Sequence, residues 1–554
     1  MSHTVSPVGT RAVIVDLPDL DTVMSWHASL VASPLPGQVE AIAAARTVLV
    51  CFDAHTSAIT GLNTLREFHP QSSAEANPRE ATIDVVYDGE DLADVAELMS
   101  ISTEELITRH TQQQWLAAFG GFAPGFTYCV PAAGDQSYTW DVPRRSSPRT
   151  AVPAGAVGLA GQFSAVYPRT SPGGWQLLGH TTQPMWDTHA EQPALLQPGD
   201  TVRYRQVRES ISVEAGSSAE EATAGARVGA SQSKKPIVPA RPSLKVLNAG
   251  LQTLFQDTGR AGHGDIGVNG SGAVDRASAW AANDVVGNAS SATVLENIGG
   301  IELEALVDTA VCVTGARASV SIGRRTFELG APVEVKAGQT LKVEPVGGAG
   351  NGLRSYVSVR GGLVTDEVLG SNSTDILSGL GPEPVATGDV LKAGRRTARA
   401  SVGTATTNPF DGTNVLRCVA GPRDDWFGKA EVQRFTEIEW TVTGQSNRVG
   451  LRLALPAGSE GTEPEPLQRN HDGELASEGM VSGSIQVPPN GLPVVFLADH
   501  PVTGGYPVIA TVIDKDLDKA GQLAPGDTVR FELIDFAQQA SAGNASRAGT
   551  PQAK

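Results

Sequence analysis

The sequence has few cysteines, and none of them lie close together. Cys51, Cys129, Cys312 and Cys418 are the four cysteines among 554 residues, and they form no C-x-x-C motif. This spacing argues against a disulfide framework and against a cysteine-based zinc site, and it predicts a cytoplasmic location. The ten histidines include no pair four residues apart with an acidic residue between them, so no metal site is predicted.

Long apolar runs and an excess of positive charge are also missing. No stretch approaches the roughly 18 consecutive apolar residues of a membrane span. The N-terminus has no basic segment followed by an apolar core, so no secretory signal is expected. The net charge of −18, from 42 basic and 60 acidic side chains, argues against nucleic acid as a partner. A small anionic substrate needs only a local cluster of arginines and is compatible with this charge.

Glycine and proline are abundant, with 61 and 35 residues and no collagen-like period. This composition predicts many turns and short strands. A chain of 554 residues is longer than one hydrophobic core usually holds, so two to four domains are expected.

The first 208 residues divide into two predicted units. In residues 1–82, RAVIVDL and RTVLVCFD are β-rich, and DTVMSWHASLVAS and GLNTLREF show helical spacing, which together predict a small α+β domain. Residues 83–208 begin with a helical stretch in which SISTEEL carries an N-cap signature. Short β runs rich in glycine and proline follow, so this unit is predicted to be a β domain.

The remaining chain is predicted to be a linker, a large β region and a tail. Residues 209–243 are small and polar, with too little apolar surface to fold, and are predicted to form a flexible linker. Residues 244–536 form a β-rich pair of domains with one helix, at Val274–Val286. Residues 537–554 are predicted to be disordered.

An internal repeat links the two halves of the chain. LQPGDTVRYR, from Leu196, returns as LAPGDTVRFE, from Leu523, and each phrase follows a Val-Pro pair and a Gly-Gly-aromatic triplet in the same order. Chance recurrence of a common β-turn is the alternative explanation. Because three landmarks recur in order, we predict two β domains of common architecture, one on each side of the linker.

Longer phrases resemble a known family. GGFAPGFTYC, VPRRSSPRTAVPAGAVGLAGQ and YPRTSPGGWQLLGHT resemble allophanate hydrolase subunit 1, whose members include the B subunit of 5-oxoprolinase. LFQDTGRAGHGDIGVNGSGAVDRASAWAANDVVGN, VRGGLVTDEVLGSNST, AGPRDDWF, SNRVGLRL and SEGMVSGSIQVPPNGLPVVFLADHPVTGGYP resemble allophanate hydrolase subunit 2, which includes the C subunit of 5-oxoprolinase. The same pair forms the carboxyltransferase region of urea carboxylase.

The resemblance carries expectations about fold and partners. It implies a mainly β fold with α+β elements: duplicated cyclophilin-like β-barrel domains and a small N-terminal α+β domain. It implies two fused subunits that act with the A subunit of 5-oxoprolinase, from the LamB/YcsF family, with ATP as co-substrate and Mg²⁺ as its companion. A small-molecule substrate and a homo-oligomer are further expected partners. Asn372 stands where the family usually has arginine, which puts any anion contact at that position in doubt.

Candidate anion contacts follow from what ATP-driven opening of a lactam needs. Glycine-rich turns can expose backbone N–H groups to phosphate, and the candidates are Gly173, Gly174, Gly504, Gly505 and the adjoining Tyr506. These glycines could equally serve only to allow a positive φ. Arginines can grip an anion with two hydrogen bonds, and the candidates are Arg144, Arg145 and Arg149. Salt bridges on a barrel rim are the alternative for these three.

Candidate catalytic groups lie around the phrase QDTGR and the predicted helix. Asp257 and Arg260 share a turn-like phrase and form either an internal ion pair or a catalytic edge. Ser271 and Asp275 precede the helix, where they would cap it or act beside its positive end. His180, in LLGHT, is a candidate acid or base on a strand.

Three functions are compatible with the sequence. The first is the fused B and C component of an ATP-dependent 5-oxoprolinase. The second is the carboxyltransferase of a biotin-dependent urea carboxylase, but none of the five methionines adjoins a lysine, so the chain has no A-M-K-M biotin attachment site. The third is a non-enzymatic protein that regulates a kinase. The chain has no G-x-x-x-x-G-K-[ST] motif, so ATP is not held by a P-loop, and a partner protein is expected to complete the site.

Overall fold

A computed structural model describes residues 3–70, 79–132, 135, 137–145, 147–208, 240–400, 402–403, 414–456, 465–471, 473 and 475–537. Of the predicted linker, residues 209–239 lie outside this set, as do residues 538–554 of the predicted tail. The described chain forms four units, two on each side of the linker.

The first unit is a four-stranded antiparallel sheet with two helices. Strand order is β1-β2-β4-β3, and the elements are β1 (Thr4–Val8), β2 (Ala12–Asp16), α1 (Leu20–Ala32), β3 (Gln38–Ala43), β4 (Thr47–Phe52) and α2 (His55–Arg66). One sheet face, which carries Val13, Val15, Val48 and Val50, packs in a core with side chains of both helices. The predicted α+β unit has the strands and helices that its patterns indicated.

The second unit is a barrel. Its elements are β5 (Glu80–Val85), α3 (Leu92–Leu98), α4 (Thr103–Gln112), β6 (Trp115–Gly121), β7 (Ala123–Pro131), β8 (Arg149–Val152), β9 (Ala156–Ala160), β10 (Phe163–Val166), β11 (Ser171–Gly173), β12 (Gln176–His180) and β13 (Thr201–Gln206). Seven strands pair in the order β12-β9-β10-β7-β6-β13-β5. A bridge between Val86 and His180 brings the two ends of this sheet together. As SISTEEL predicted, Ser102 caps α4 by accepting from Glu105 N at 3.1 Å.

The third unit is a sandwich of two sheets. Its elements are β14 (Ala240–Asn248), β15 (Gln252–Gln256), α5 (Arg276–Val285), β16 (Val294–Ile298), β17 (Ile301–Ala305), β18 (Thr309–Gly315), β19 (Ala318–Ile322), β20 (Arg325–Phe327), β21 (Pro332–Val335), β22 (Thr340–Pro345), β23 (Ser355–Val359) and β24 (Val390–Gly394). A six-stranded and a five-stranded sheet share one aliphatic core. The helix predicted at Val274–Val286 is present as α5.

The fourth unit is a closed barrel. Its elements are β25 (Val415–Ala420), α6 (Gly428–Glu437), β26 (Trp440–Val442), β27 (Gly450–Ala454), β28 (Glu478–Gly479), β29 (Ser484–Gln486), β30 (Val494–Phe496), β31 (Thr503–Gly504), β32 (Val508–Val512), α7 (Asp514–Gln522) and β33 (Thr528–Leu533). Its strands pair in the order β25-β32-β29-β30-β27-β26-β33.

The two barrels correspond strand for strand. Starting at β12 in the first barrel and at β32 in the second, neighbouring strands correspond in the order β12/β32, β9/β29, β10/β30, β7/β27, β6/β26, β13/β33 and β5/β25. Each barrel also has a buried tryptophan that donates to the preceding helix: Trp115 Nε1 to His110 O and Trp440 Nε1 to Phe435 O, both at 3.1 Å. The duplication of barrel domains is therefore confirmed.

The repeated phrase has the same place in both barrels. It contains the last strand, β13 or β33, which pairs in parallel with the first strand, β5 or β25. β5 begins at Glu80 and β14 at Ala240, a few residues before the predicted boundaries at 83 and 244.

Candidate functional site

The two halves of the chain meet at one face of the N-terminal sheet. This face carries Val8, Ala12, Ile14, Ile42 and Leu49, which are buried in a cluster with Val502 of the second barrel. The opposite face is already covered by α1 and α2. Because both faces of the sheet are apolar, the sheet needs the second half of the chain to shield its outer face from water. We call this contact region the junction.

Ion pairs cross the junction beside the apolar contact. Arg423 contacts Asp16 of the N-terminal sheet, and its Nε donates to Glu478 Oε1 at 2.5 Å. Arg11 Nη1 lies 3.3 Å from Asp514 Oδ2, and His27 Nε2 lies 2.9 Å from Asp265 Oδ1. The junction therefore joins charged groups as well as apolar surface from both halves.

The backbones also approach closely at the junction. A Cβ placed on Gly120 would lie 2.0 Å from the carbonyl oxygen of Asp265, so no larger residue fits there without movement. The backbone of Phe122, in the same turn, is strained, with φ of 36°. Phe122 N donates to Thr503 Oγ1 of the second half at 3.2 Å. The glycine-rich phrase GGFAPG is thus a contact surface for the second half of the chain.

A cavity of about 280 Å³ opens at the junction. Its walls come from the N-terminal sheet, from the loop 258–276 and from the second barrel. Apolar side chains dominate the lining, and the polar or ionisable members are Thr10, Arg11, Glu40, Cys51, Thr258, Asn269, Ser271, Arg276, Ser482, His500, Thr511 and Asp514. An apolar cleft with a few converging polar groups is typical of a small-molecule site.

Asp257 organises the loops beside this cavity. Its carboxylate accepts from Ser371 Oγ at 2.6 Å, Ser373 Oγ at 2.5 Å, the Asn372 backbone N at 2.7 Å and Gly259 N at 2.8 Å. Asn372, the residue that departs from the family pattern, therefore contacts Asp257 through its backbone. No described salt bridge joins Asp257 to Arg260.

Arg260 is buried, and one nitrogen of its guanidinium group has no hydrogen-bond partner in the described chain. The residue is 2% exposed, and its guanidinium donates to the carbonyls of Val368, at 3.3 Å from Nε, and of Ser373. Its Nη1 has no partner among the described residues. Burial lowers the pKa of Arg260, and the charges of Asp375 and Asp257 oppose this effect. A buried guanidinium with an unfilled N–H favours an anion.

A second arginine reaches the same region from the N-terminal half. Arg169 Nε is buried without a partner in the part of the chain that the structure describes, and a Cβ on Gly379 would lie 4.0 Å from its Nη1. A Cβ on Gly381, two residues further, would lie 3.2 Å from Arg260 Nη2. The loop 375–381 therefore has an arginine from each half of the chain beside it.

Ser271 and Asp275 lie in buried hydrogen-bond networks. Ser271, with φ of 49°, donates from Oγ to Asp499 Oδ1 at 2.7 Å. Asp275 is fully buried and caps α5, accepting from Ser278 N at 2.9 Å and from Gln522 Nε2 at 2.6 Å. Burial raises the pKa of the Asp275 carboxyl. Ser271 also lines the cavity, whereas Asp275 does not.

Arg145 and Arg149 lie away from the cavity and share Asp91. Arg145 Nη1 and Arg149 Nη2 lie 2.6 and 2.9 Å from Asp91 Oδ1, and Asp91 Oδ2 accepts from Leu177 N at 2.7 Å. This is the salt-bridge arrangement that the sequence left open as the alternative. The charge of Arg144 acts on the phenols of Tyr128 and Tyr167.

The remaining candidates are dispersed. His180 ends β12 and its Nδ1 lies 2.8 Å from Asp88 Oδ1. None of the four candidate glycines has a positive φ: Gly173 ends β11, where a Cβ would lie 2.3 Å from the Tyr167 hydroxyl, Gly174 accepts from Arg145 N at 2.8 Å, and Gly504 and Gly505 follow Thr503 at the junction. Tyr506 is 45% exposed.

Sequence reasoning did not select several charged residues that the structure brings together. Arg448, Glu296 and Asp499 form a fully buried cluster. At the junction His27 contacts Asp265, and Glu40 accepts from the neighbouring Gly264 N. A signal was present for the first cluster, since Arg448 and Asp499 lie within the phrases SNRVGLRL and FLADH. Over the described ranges, no group of three or more His, Cys, Asp or Glu side chains is arranged to hold a metal ion. No helix there is long and apolar enough to cross a membrane.

Comparison with known proteins agrees with this architecture. The family described as "Carboxyltransferase domain, subdomain C and D" matches residues 3–196, and "Carboxyltransferase domain, subdomain A and B" matches residues 266–533. The crystal structure of TTHA0988 superposes with a TM-score of 0.77 at 30% identity, covering 94% of this chain and 99% of that one. The paired units thus define a two-part carboxyltransferase-domain protein.

Relatives match each half separately. The B subunit of 5-oxoprolinase from Escherichia coli O157:H7 is 35% identical over 37% of this chain and 96% of its own length. The C subunit of 5-oxoprolinase from Escherichia coli K12 is 34% identical over 52% of this chain and 90% of its own length. Urea amidolyase of Lachancea kluyveri is 29% identical over 53% of this chain but only 17% of its own length. The chain belongs to the family of the B and C subunits of 5-oxoprolinase, with counterparts of both in one polypeptide.

Proposed function

We propose that the chain is the fused B and C component of an ATP-dependent 5-oxoprolinase, which hydrolyses 5-oxo-L-proline to L-glutamate with cleavage of ATP. One observation carries the proposal: counterparts of both subunits, covering 96% and 90% of their lengths, occur in one chain. The junction supports it, because the cavity there takes walls from both halves. A site shared in this way would require both subunits in one assembly.

The chemistry of the proposal needs a cation near a phosphate. Opening a lactam is unfavourable without coupling, and transfer of a phosphoryl group to the lactam oxygen makes the ring carbon easy to attack. Charge on the transferred group is stabilised by fixed donors and by Mg²⁺ that accompanies ATP. Arg260 and Arg169 supply buried N–H donors without partners in the described chain. We assign these two arginines to the binding of an anionic group of ATP or substrate.

The proposal includes a partner protein. Asp257 and Asp275 are held by hydrogen bonds within the chain, so these acids organise loops rather than complete a hydrolase alone. The A subunit of 5-oxoprolinase, from the LamB/YcsF family, would supply the remaining groups across an interface, in a cytoplasmic complex.

Reconstitution tests the proposal. ADP release and glutamate formation are measured with 5-oxoproline and ATP, with and without the LamB/YcsF-family partner. We expect little turnover by the chain alone, and an increase of orders of magnitude with the partner, with glutamate and ADP formed in step. Full activity of the isolated chain would contradict the shared site. The match to urea amidolyase favours a second candidate, a urea carboxylase component, which biotin-dependent carboxylation of urea in a reconstituted mixture would support.

A further inference from the structure

Glu40 is placed on the junction face of the N-terminal sheet by strand pairing and a bulge. Ala12 pairs with Cys51 across β2 and β4, and Cys51 pairs with Glu40 across β4 and β3, so the three side chains share one face. The register shifts between Gln38 and Glu40, which makes Val39 an extra residue. Such bulges re-aim a side chain and are frequent beside active sites. Here Glu40 lines the cavity.

The carboxyl group of Glu40 has hydrogen bonds but no cation. Its Oε2 accepts from Gly264 N at 3.2 Å, and the charges that act on it include no arginine or lysine of the described chain. Asp16, the other acid on this sheet face, differs because Arg423 binds it from the second half. Of these two acids on one sheet face, Asp16 therefore has an arginine partner, whereas Glu40 has no cation partner in the described chain and lines the cavity.

Asp265 of the second half lies beside Glu40, and His27 of the first half contacts Asp265. His27 of α1 lies 3.1 Å from Ala41 O on the free edge of β3 and 2.9 Å from Asp265 Oδ1. Asp265 belongs to the short 3-10 helix Gly264–Ile266, whose first residue also donates to Glu40. Burial and the negative charge of Asp265 raise the pKa of the Glu40 carboxyl. Burial lowers the pKa of the His27 imidazole, but the hydrogen bond and charge of Asp265 outweigh it and raise that pKa.

The other ionisable groups that line the cavity suit an anionic end of a ligand. Arg11 Nη1 and Arg276 Nη2 both contact Asp514, at 3.3 and 2.7 Å, and the charges of Asp518 and Asp275 also act on Arg276. Arg11 is therefore the more weakly paired of the two cations. Cys51 and His500 are the remaining ionisable lining groups, and burial lowers the pKa of His500. A small molecule with a carboxylate for the arginines and a cyclic amide for Glu40 matches this lining.

We propose that Glu40 is the proton donor to the leaving nitrogen of a cyclic amide bound in the junction cavity, with Asp265 and His27 as positioning residues. In the ring-opening step, the oxygen of water bonds to the ring carbon that carries the phosphorylated oxygen, and the carbon–nitrogen bond breaks. The electron pair of that bond stays on nitrogen, which keeps its own hydrogen and takes the proton of Glu40, while one proton of the attacking water returns to Glu40 and the other goes to solvent. A second water then cleaves the resulting acyl phosphate to glutamate and inorganic phosphate. This inference rests on the proposed function, since 5-oxoproline is a cyclic amide with a carboxylate.

Variants of Glu40 in the complete complex test the inference. Because an amide cannot supply the proton, we expect Glu40→Gln to lower kcat about 10²- to 10⁴-fold with little change in KM. The wild-type kcat falls as the pH rises through the pKa of Glu40, which gives the pH–rate profile a basic limb. This limb disappears in the Glu40→Gln variant. Glu40→Asp retains part of the activity and shifts the limb. Glu439→Gln, a control at a surface carboxylate that pairs with Arg530, changes neither kcat nor the limb.

A chemical probe reads the cavity without turnover. Cys51 is the one cysteine of the four that is not buried, and it pairs with Glu40. Burial raises the pKa of the Cys51 thiol, so labelling with iodoacetamide is carried out at alkaline pH for the time that the ligand-free chain needs to react. We expect 5-oxoproline to protect Cys51 under these conditions, measured by mass spectrometry, in the wild-type chain and in Glu40→Gln.

The outcomes separate the inference from the function on which it rests. Normal kcat in Glu40→Gln, an unshifted limb in Glu40→Asp, or no protection of Cys51 overturns the role of Glu40 while the wild-type complex still turns over 5-oxoproline. Absence of 5-oxoproline turnover in the wild-type complex instead overturns the proposed function, and this inference with it. If Glu40→Gln does not fold, the limb of Glu40→Asp decides.

Discussion

Arg448 and Asp499 form a doubly hydrogen-bonded ion pair that is closed to solvent. Arg448 Nε lies 2.9 Å from Asp499 Oδ2 and Nη2 lies 2.8 Å from Oδ1, with both side chains 0% exposed. Arg448 Nη1 also lies 2.6 Å from Glu296 Oε1, on β16 of the sandwich. The pair therefore ties the second barrel to the sandwich, next to Ser271 and the cavity.

Arg448→Met is expected to destabilise the chain by about 3–5 kcal/mol, because it leaves the buried Asp499 carboxylate without its ion-pair partner and leaves Glu296 with Arg354 alone. Denaturant unfolding measures the loss. Arg530→Met is the control, since Arg530 pairs with Glu439 on the surface, where such pairs contribute about 1 kcal/mol or less. Equal effects of the two substitutions would contradict the importance of burial.

Cutting the chain between the halves is expected to leave them associated. Residues 209–239 of the predicted linker lie outside the described residues, but the apolar face and ion pairs of the junction are present without them. A protease site placed within residues 215–235 allows the cut, and a sizing column at micromolar concentration shows whether the halves co-elute. Separate elution of the fragments would reject a built-in interface.

Gly120→Ala is expected to weaken the junction, because its Cβ would lie 2.0 Å from the Asp265 carbonyl oxygen. Overpacking of this kind typically costs about 1–3 kcal/mol, seen as a lower midpoint of thermal unfolding and as separation of the cut halves. Gly444→Ala is the matched control, since nothing lies within 4 Å of its Cβ position. An unchanged junction in Gly120→Ala would show that the backbones can move apart.

Arg260→Gln is expected to lower the activity of the reconstituted complex about 10²- to 10³-fold, by analogy with the loss of one charged transition-state donor. Coupled ADP release and thermal unfolding are measured together. Arg360→Gln is the control, because Arg360 also donates to backbone carbonyls, at 2.6 Å to Val286 O and 2.9 Å to Ala400 O, but has no buried nitrogen left without a partner in the described chain. Near-normal turnover of Arg260→Gln argues against an anion contact there.

Glu478→Gln is expected to change how stability depends on pH. Burial raises the pKa of Glu478 from 4.5 to about 7, although Arg423 acts against this. Between these pH values Glu478 is ionised in the unfolded chain but protonated in the folded chain. The free energy of unfolding of the wild type therefore falls by about 3 kcal/mol as the pH rises through this window, and this effect does not grow further above it. Glutamine does not titrate, so the free energy of unfolding of the variant rises relative to that of the wild type over that window. A pH-independent difference in unfolding midpoint would refute this.

Features set by neighbouring residues were predictable from the sequence. Ser102 capping α4 and the helix after Asp275 depend on side chains within one turn, and the repeat predicted the paired barrels. Contacts between distant residues were not predictable. Asp257 and Arg260 both lie in QDTGR, yet they bind Ser371 and Ser373, more than a hundred residues away.

The site residues also depend on partners that are distant in the sequence. Arg145 and Arg149 were candidates for anion binding because of their type, but the acid that they bind, Asp91, is on another element. Glu40 lies in QVEAIA, a pattern that indicates only a strand, and its approach to the cavity depends on a bulge and on docking of the loop around Gly264. Neither feature leaves a periodic signal.

The parallel pairing of β5 with β13 and of β25 with β33 has a consequence for how such a chain can arise. Because these neighbouring strands are parallel, the chain enters each barrel at one end of the sheet and leaves it at the other. Another chain can be joined to or cut from either end without threading the polypeptide through the fold. The two barrels are therefore portable modules, and one gene or two can encode the same assembly.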